Sequence, residues 1–213
     1  VRKVSLQNDS IEIEANDKFQ TEKLIFCLPP KLLAEKTVFE PALPNELAEV
    51  AQQTQTWMED SIKVAIVYEK PFWRKQNFSG TIFSSYGPMT ELYDHGNFED
   101  DKSALCGFLH PSYAQISKEE RKAHILNQIS NSFGAEAKQP IDYQETIWKQ
   151  EEFTSNSTHN PLYPHQNNGH PIFRNSFFED KVFFSNSETA SNFGGYMEGA
   201  VISADWVLGK VLE

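Results

Sequence analysis

Three stretches of the sequence hold residues that could do chemistry. In residues 182–201 an apolar run, Val182-Phe183-Phe184, ends in a polar turn, and Gly194-Gly195 then leads into a helical pattern. A helix N-terminus presents unpaired backbone N–H groups and the positive end of the dipole, which suits a ligand carrying negative charge. Either Gly194 and Gly195 let something flat approach the backbone, or they are a flexible lead into the helix. Lys63 is a cation within the apolar run Ile62–Tyr68. Burial would lower its pKa and mark it as a site residue, whereas strict alternation would put it on the wet face. His159, His165 and His170 share one polar stretch, without metal-ligand spacing. Loop imidazoles of that kind are normally solvated, and no metal is expected.

These residues need elements to position them. Val4, Leu6, Ile11 and Ile13 alternate with polar residues around Asn8-Asp9, which predicts a β-hairpin with one wet face. Lys23–Leu28 reads as a strand buried on both faces, ended by Pro29-Pro30. Residues 31–44 read as a loop or a broken short helix, and Asn45 as the cap of a helix to about Gln55. Strands are predicted over Ser61–Glu69, Thr81–Ser85, Met89–Tyr93, Ser103–His110 and Ile141–Trp148; their short connections imply an antiparallel or mixed sheet. Ser117 and Glu120 have capping-box spacing ahead of the stripe Ile125, Leu126, Ile129, Phe133, and Gly134 is the stop. The final helix is expected to turn Ala200, Val201, Ala204, Val207, Leu208, Val211 and Leu212 inward.

Composition removes whole classes of function. The 213 residues carry a formal charge of -11, which repels phosphate and anionic membrane surfaces, so no nucleic-acid or membrane partner is expected. No apolar run approaches the roughly 20 residues of a membrane span. Cys27 and Cys106 cannot build a disulfide framework or a cysteine zinc site, and Cys27 reads as a buried thiol in a reducing, cytoplasmic setting. No glycine-rich phosphate loop, HExxH or GxSxG is present. The chain begins with Val1 inside a strand-like pattern and reads as part of something longer.

Four ordered blocks resemble the flavin-dependent monoamine oxidase family. They are Leu28-Pro29-Pro30 with Phe39-Glu40-Pro41 and Leu43-Pro44; Ile62-Lys63-Val64 with Pro71-Phe72-Trp73-Arg74-Lys75 and Phe78-Ser79-Gly80; Trp148 nine residues before Ser157; and Glu188-Thr189-Ala190 with Gly195-Tyr196-Met197-Glu198-Gly199-Ala200-Val201. The resemblance implies that Lys63 acts near the flavin N5 through a water. It implies that Tyr196 is one aromatic wall of an amine cage, which suits electron-rich ring faces. Thr158 stands where the second wall would be, and Ser157 where a cysteine would link the flavin, so FAD is expected to bind non-covalently. Trp148, Glu188, Thr189, Gly195 and the Met197 backbone N–H are implied to bind the cofactor. Asn186 and Ser187 replace Gly and Thr of the family's turn and are expected to crowd the cofactor phosphates.

The resemblance implies an α+β (α/β) fold. Residues 1–55 and 150–213 would be segments of a flavin-binding domain lacking its dinucleotide-binding βαβ unit. Residues 56–149 would form a substrate domain, a mixed or antiparallel sheet backed by the 117–133 helix. The implied reaction is oxidation of an amine to an imine by FAD, with dioxygen as acceptor; the isolated chain is expected to be inactive and to self-associate. Two alternatives stay open: a desaturating oxidoreductase acting on an apolar substrate, and a non-catalytic binding protein that has lost the cofactor.

Overall fold

A computed structural model describes residues 1–7, 9–99, 101–154 and 162–212. It separates into two compact units, one of residues 1–59 and 152–213, the other of residues 60–151.

The first unit opens with β1 (Lys3–Gln7) and β2 (Ser10–Glu14), the predicted hairpin, paired Val4 to Ile13 and Leu6 to Ile11. β3 (Lys18–Thr21) continues it. β4 (Leu24–Phe26) departs from the predicted strand buried on both faces: Phe26 is buried, but Ile25 and Cys27 are exposed. With one neighbouring strand and one covered face, a strand inside this unit buries alternate residues. Cys27 is therefore not the buried thiol expected from its apolar neighbours.

Residues 31–44 are more ordered than expected. Pro30 starts α1 (Pro30–Lys36), where its missing N–H costs nothing. β5 (Val38–Glu40) then pairs parallel to β1 and completes a four-stranded mixed sheet in the order β3-β2-β1-β5. In α2 (Asn45–Gln52) Asn45 is the first helical residue, not the cap; Pro44 takes the cap position without a side-chain bond.

In the second unit β6 (Ile62–Tyr68) buries Ile62, Val64, Ile66 and Tyr68 and leaves the intervening residues less covered. α3 (Phe72–Lys75) is a single turn bringing Phe72 and Trp73 into the core. β7 (Ile82–Phe83), β8 (Met89–Asp94), β9 (Ser103–Leu109) and, after α4 (Lys118–Phe133), β10 (Asp142–Ile147) give an antiparallel sheet in the order β10-β6-β9-β8-β7. α4 starts at a complete capping box: Ser117 Oγ accepts the Glu120 N–H at 3.2 Å, and Glu120 Oε2 accepts the Ser117 N–H at 3.0 Å. Its Ile125, Ile129 and Phe133 join the strand core. Gly107 lets β9 pass the bulge in β8, because a Cβ there would lie 2.1 Å from the Glu91 carbonyl oxygen.

The chain re-enters the first unit and ends with β11 (Val182–Phe184) and α5 (Met197–Leu212). β11 pairs parallel to β4, with Phe26 opposite Phe184. α5 corrects the expected inward face. Gly199, Ser203 and Val207 are buried, whereas Val201, Leu208 and Leu212 are exposed. The helix is apolar nearly all round, so close approach selects the face: a Cβ on Gly199 would stand 2.2 Å from the Phe193 carbonyl oxygen. Among the described residues no helix is long and apolar enough to cross a membrane.

Candidate functional site

β4 and β11 run parallel, so their carboxyl ends lie together, and α5 begins beside them. A groove of about 490 Å³ opens there, lined by Cys27, Pro29, Ser185, Asn186, Ser187 and Glu188 with Ala200 and Ala204 of α5. Parallel strands of open α/β sheets bind ligands at this end, where loops diverge and helix N-termini point inward. The lining is of small side chains apart from Asn186 and Glu188, as close approach of a cofactor backbone needs.

The turn after β11 is fixed by its own side chains. Asn186 Oδ1 accepts the N–H groups of Glu188 (3.0 Å) and Thr189 (3.2 Å), and its Nδ2 donates to the Leu28 carbonyl at 2.7 Å. The Asn186 amide is thus bonded into its own turn, while the residue still lines the groove. Thr189 Oγ1 sits 3.1 Å from the Asn186 N–H that it accepts and 3.0 Å from Ser203 Oγ on α5. Glu188 is buried; Oε1 accepts the Trp57 N–H at 3.4 Å, and Oε2 the Ser187 hydroxyl at 3.0 Å. Glu188 and Thr189 therefore brace the turn against Trp57 and α5.

Gly194 and Gly195 are approached by the protein itself. A Cβ on Gly195 (φ 83°) would lie 2.7 Å from Trp57 Cβ, and one on Gly194 2.9 Å from Asn168 Cβ. Tyr196 follows, half exposed, with its ring 5.6 Å from that of Trp57. Met197 is the first residue of α5 and is 90% exposed. Its N–H precedes the first intrahelical bond, from Ala200 N–H to the Tyr196 carbonyl at 3.2 Å. Tyr196, Met197, Gly195, Glu188 and Thr189 are thus brought together in one unit.

The remaining predicted residues lie elsewhere. Lys63 is exposed on the wet face of β6, with Nζ 5.7 Å from the Phe108 ring centroid. Alternation, not burial, describes it. Across the sheet from it, burial pushes the Cys106 thiol up while the Lys63 charge opposes the shift. Trp148 leaves the predicted strand and starts a 3₁₀ turn after β10; it is 38% exposed, and its N–H donates to the Ser61 carbonyl at 3.1 Å. Thr158 and Ser157 lie outside the described residues. Trp57, which the sequence left unmarked, and His165, expected there as a solvated loop imidazole, stand beside Tyr196. Trp57 follows a polar run with no period or motif, so only the glycine facing it could have given a signal. Among the described residues no group of three His, Cys, Asp or Glu is placed to hold a metal ion.

Residues 1–205 match the family described as flavin containing amine oxidoreductase. The chain is 30% identical over 204 residues to the probable flavin-containing monoamine oxidase A of Dictyostelium discoideum, covering 91% of this chain and 42% of that protein. It is 33% identical over 155 residues to putrescine oxidase of Kocuria rosea, covering 71% and 30% respectively. A solved wild-type putrescine oxidase bound to putrescine superposes with a TM-score of 0.83 at 27% identity, over 100% of this chain and 48% of that one. The chain spans less than half the length of these relatives.

Proposed function

The chain belongs to the flavin containing amine oxidoreductase family, and from that premise we propose that it is part of an FAD-dependent oxidase that converts an amine to an imine. The observation that carries the proposal is the small-residue groove where the carboxyl ends of β4 and β11 meet the start of α5. FAD, when bound, would accept two electrons from the amine carbon and pass them to dioxygen. Around it, Ser187, the Glu188-Thr189 turn and Gly195 would hold the cofactor, and the Met197 N–H would favour negative charge at the helix start. Tyr196 would offer a ring face to the amine nitrogen. Lys63 and Trp148 are assigned to the cofactor by resemblance alone, and residues 60–151 are proposed as the substrate-binding unit. Non-covalent attachment follows from Ser157, because a serine cannot form a thioether. The isolated chain is proposed to be inactive.

The test is the absorption spectrum of the full-length protein, before and after anaerobic addition of a panel of amines. Bands near about 370 and 450 nm that bleach with an amine support the reading. After acid precipitation the flavin should stay in the supernatant. A colourless protein that ignores added FAD refutes the proposal. A bound flavin that no amine bleaches moves it to the desaturating alternative.

A further inference from the structure

Trp57, His165 and Tyr196 form a three-ring cluster. The His165 ring stacks on Trp57 at 4.1 Å with an interplanar angle of 22°, and lies 6.1 Å from Tyr196 at the same angle. Trp57 and Tyr196 are 5.6 Å apart at 39°. Aromatic pairs at these separations attract beyond their area burial.

His165 holds a backbone φ of 60°, a state that a residue with a Cβ seldom adopts. Its surroundings impose it. The His165 N–H donates to Gln55 Oε1 at 3.0 Å, and Gln55 is buried, its Nε2 donating to the Thr56 carbonyl at 2.7 Å. Asn168 Nδ2 lies 3.4 Å from His165 Nδ1, on the residue that packs against Gly194. Trp57 is tied to Glu188 through its own N–H. A costly backbone state held from several sides, with the ring aimed at a neighbouring aromatic stack, is how folds position functional side chains.

We infer that His165 is a positioning residue of the amine site: stacked on Trp57, it fixes the ring of Tyr196, so that a cationic amine meets an ordered aromatic wall. The inference rests on Tyr196 being that wall. It assigns to His165 and Trp57 a part in substrate affinity, not in the chemical step.

The test uses the full-length, flavin-loaded protein. Binding of benzyltrimethylammonium, a cation without a lone pair and so not oxidisable as an amine, is measured by calorimetry, with KM and kcat for a reactive amine beside it. His165→Asn removes the ring and keeps a residue type that this chain already holds at positive φ at Asn77 and Asn167. His165→Phe keeps a ring, and Phe178 and Phe193 already adopt that backbone state. His165→Asn should weaken probe binding about tenfold and raise KM in parallel, with kcat within about twofold of wild type. His165→Phe should restore affinity to within about twofold. Wild-type affinity in His165→Asn, or an equal loss in His165→Phe, overturns the inference. Tyr196→Ala separates the two levels. If it binds the probe like wild type, the reading of Tyr196 as the amine wall fails; if it weakens binding and His165→Asn does not, only the role of His165 fails.

Discussion

Removing Glu145 should unfold the second unit at a markedly lower temperature. Glu145 on β10 and Arg121 on α4 form an ion pair whose side chains are each 6% exposed, with Arg121 Nη2 2.6 Å from Glu145 Oε1. Arg121 Nε reaches both carboxylate oxygens, at 3.2 and 3.1 Å. Arg121 Nη1 donates to the carbonyls of Tyr113 and Ile116, and the Tyr143 hydroxyl donates to Glu145 Oε2 at 2.6 Å. Glu145→Ala leaves a guanidinium in the core facing a phenol that has lost its acceptor. Breaking a buried pair from one side costs about 3–5 kcal/mol. At roughly 2–4 °C per kcal/mol for a chain of this size, the melting temperature should fall by about 6–20 °C. Arg121→Met with Glu145→Leu removes both charges and should recover part of that loss. Recovery stays incomplete because the Tyr113 and Ile116 carbonyls lose their donor, at about 1–3 kcal/mol for each one left buried. The assay is thermal melting by near-ultraviolet circular dichroism at neutral pH, at low and high salt. Burial should make the difference insensitive to salt. A Glu145→Ala protein melting within about 2 °C of wild type, or a double variant melting below it, would refute the argument.

Acid should destabilise the same unit through two carboxyls. Burial raises the pKa of Glu145, but the bonds from Arg121 and Tyr143 outweigh it and leave it lowered; at Asp94, burial is likewise outweighed by Arg74, Trp73 and the Gly96 N–H. Both carboxyls bind protons less readily folded than unfolded, so their contribution is full above about pH 4 and is lost as pH falls through the lower folded values. Urea midpoints at pH 6 and pH 3 should show the loss, and Asp94→Asn should shrink it; an equal drop in Asp94→Asn removes Asp94 from the account. Gly195→Ala forces a Cβ into Trp57 at φ 83° and should cost about 1–3 kcal/mol, read as a fall in urea midpoint. An unchanged midpoint there would mean that Trp57 gives way freely. Lys63→Met should slow anaerobic flavin reduction by about 100-fold or more if Lys63 handles a proton. Because Lys63 is exposed, the melting temperature should not move, and a rate within twofold of wild type removes Lys63 from the chemistry.

Local signals were readable in the sequence, and signals that depend on a distant partner were not. The alternation of Ile62 to Tyr68 and the Ser117–Glu120 box are set within a few residues, and both appear as expected. β5 was hidden between prolines because three residues become a strand only when β1 supplies a parallel partner. The buried face of α5 could not be chosen by period in a helix apolar almost all round; it is set by Gly199 against Phe193. Of the candidate site, the Glu188-to-Val201 motif located one wall. Trp57 lies about 140 residues before Tyr196 in a segment without pattern, and the left-handed backbone of His165 leaves no trace in composition.

The parallel pairing of β4 with β11 also sets a schedule for synthesis. Phe26 must wait for Phe184, which is made 158 residues later, while residues 60–151 are translated and close into their own sheet. At about 5–20 residues per second the delay is roughly 8–30 s, far longer than a sheet of local contacts needs to form. For that interval the Leu24–Phe26 strand lacks its β11 partner, and an open apolar edge invites pairing with a neighbouring chain. A ribosome that pauses after residue 151 would lengthen that exposure, whereas a chaperone that shields residues 24–26 would shorten it.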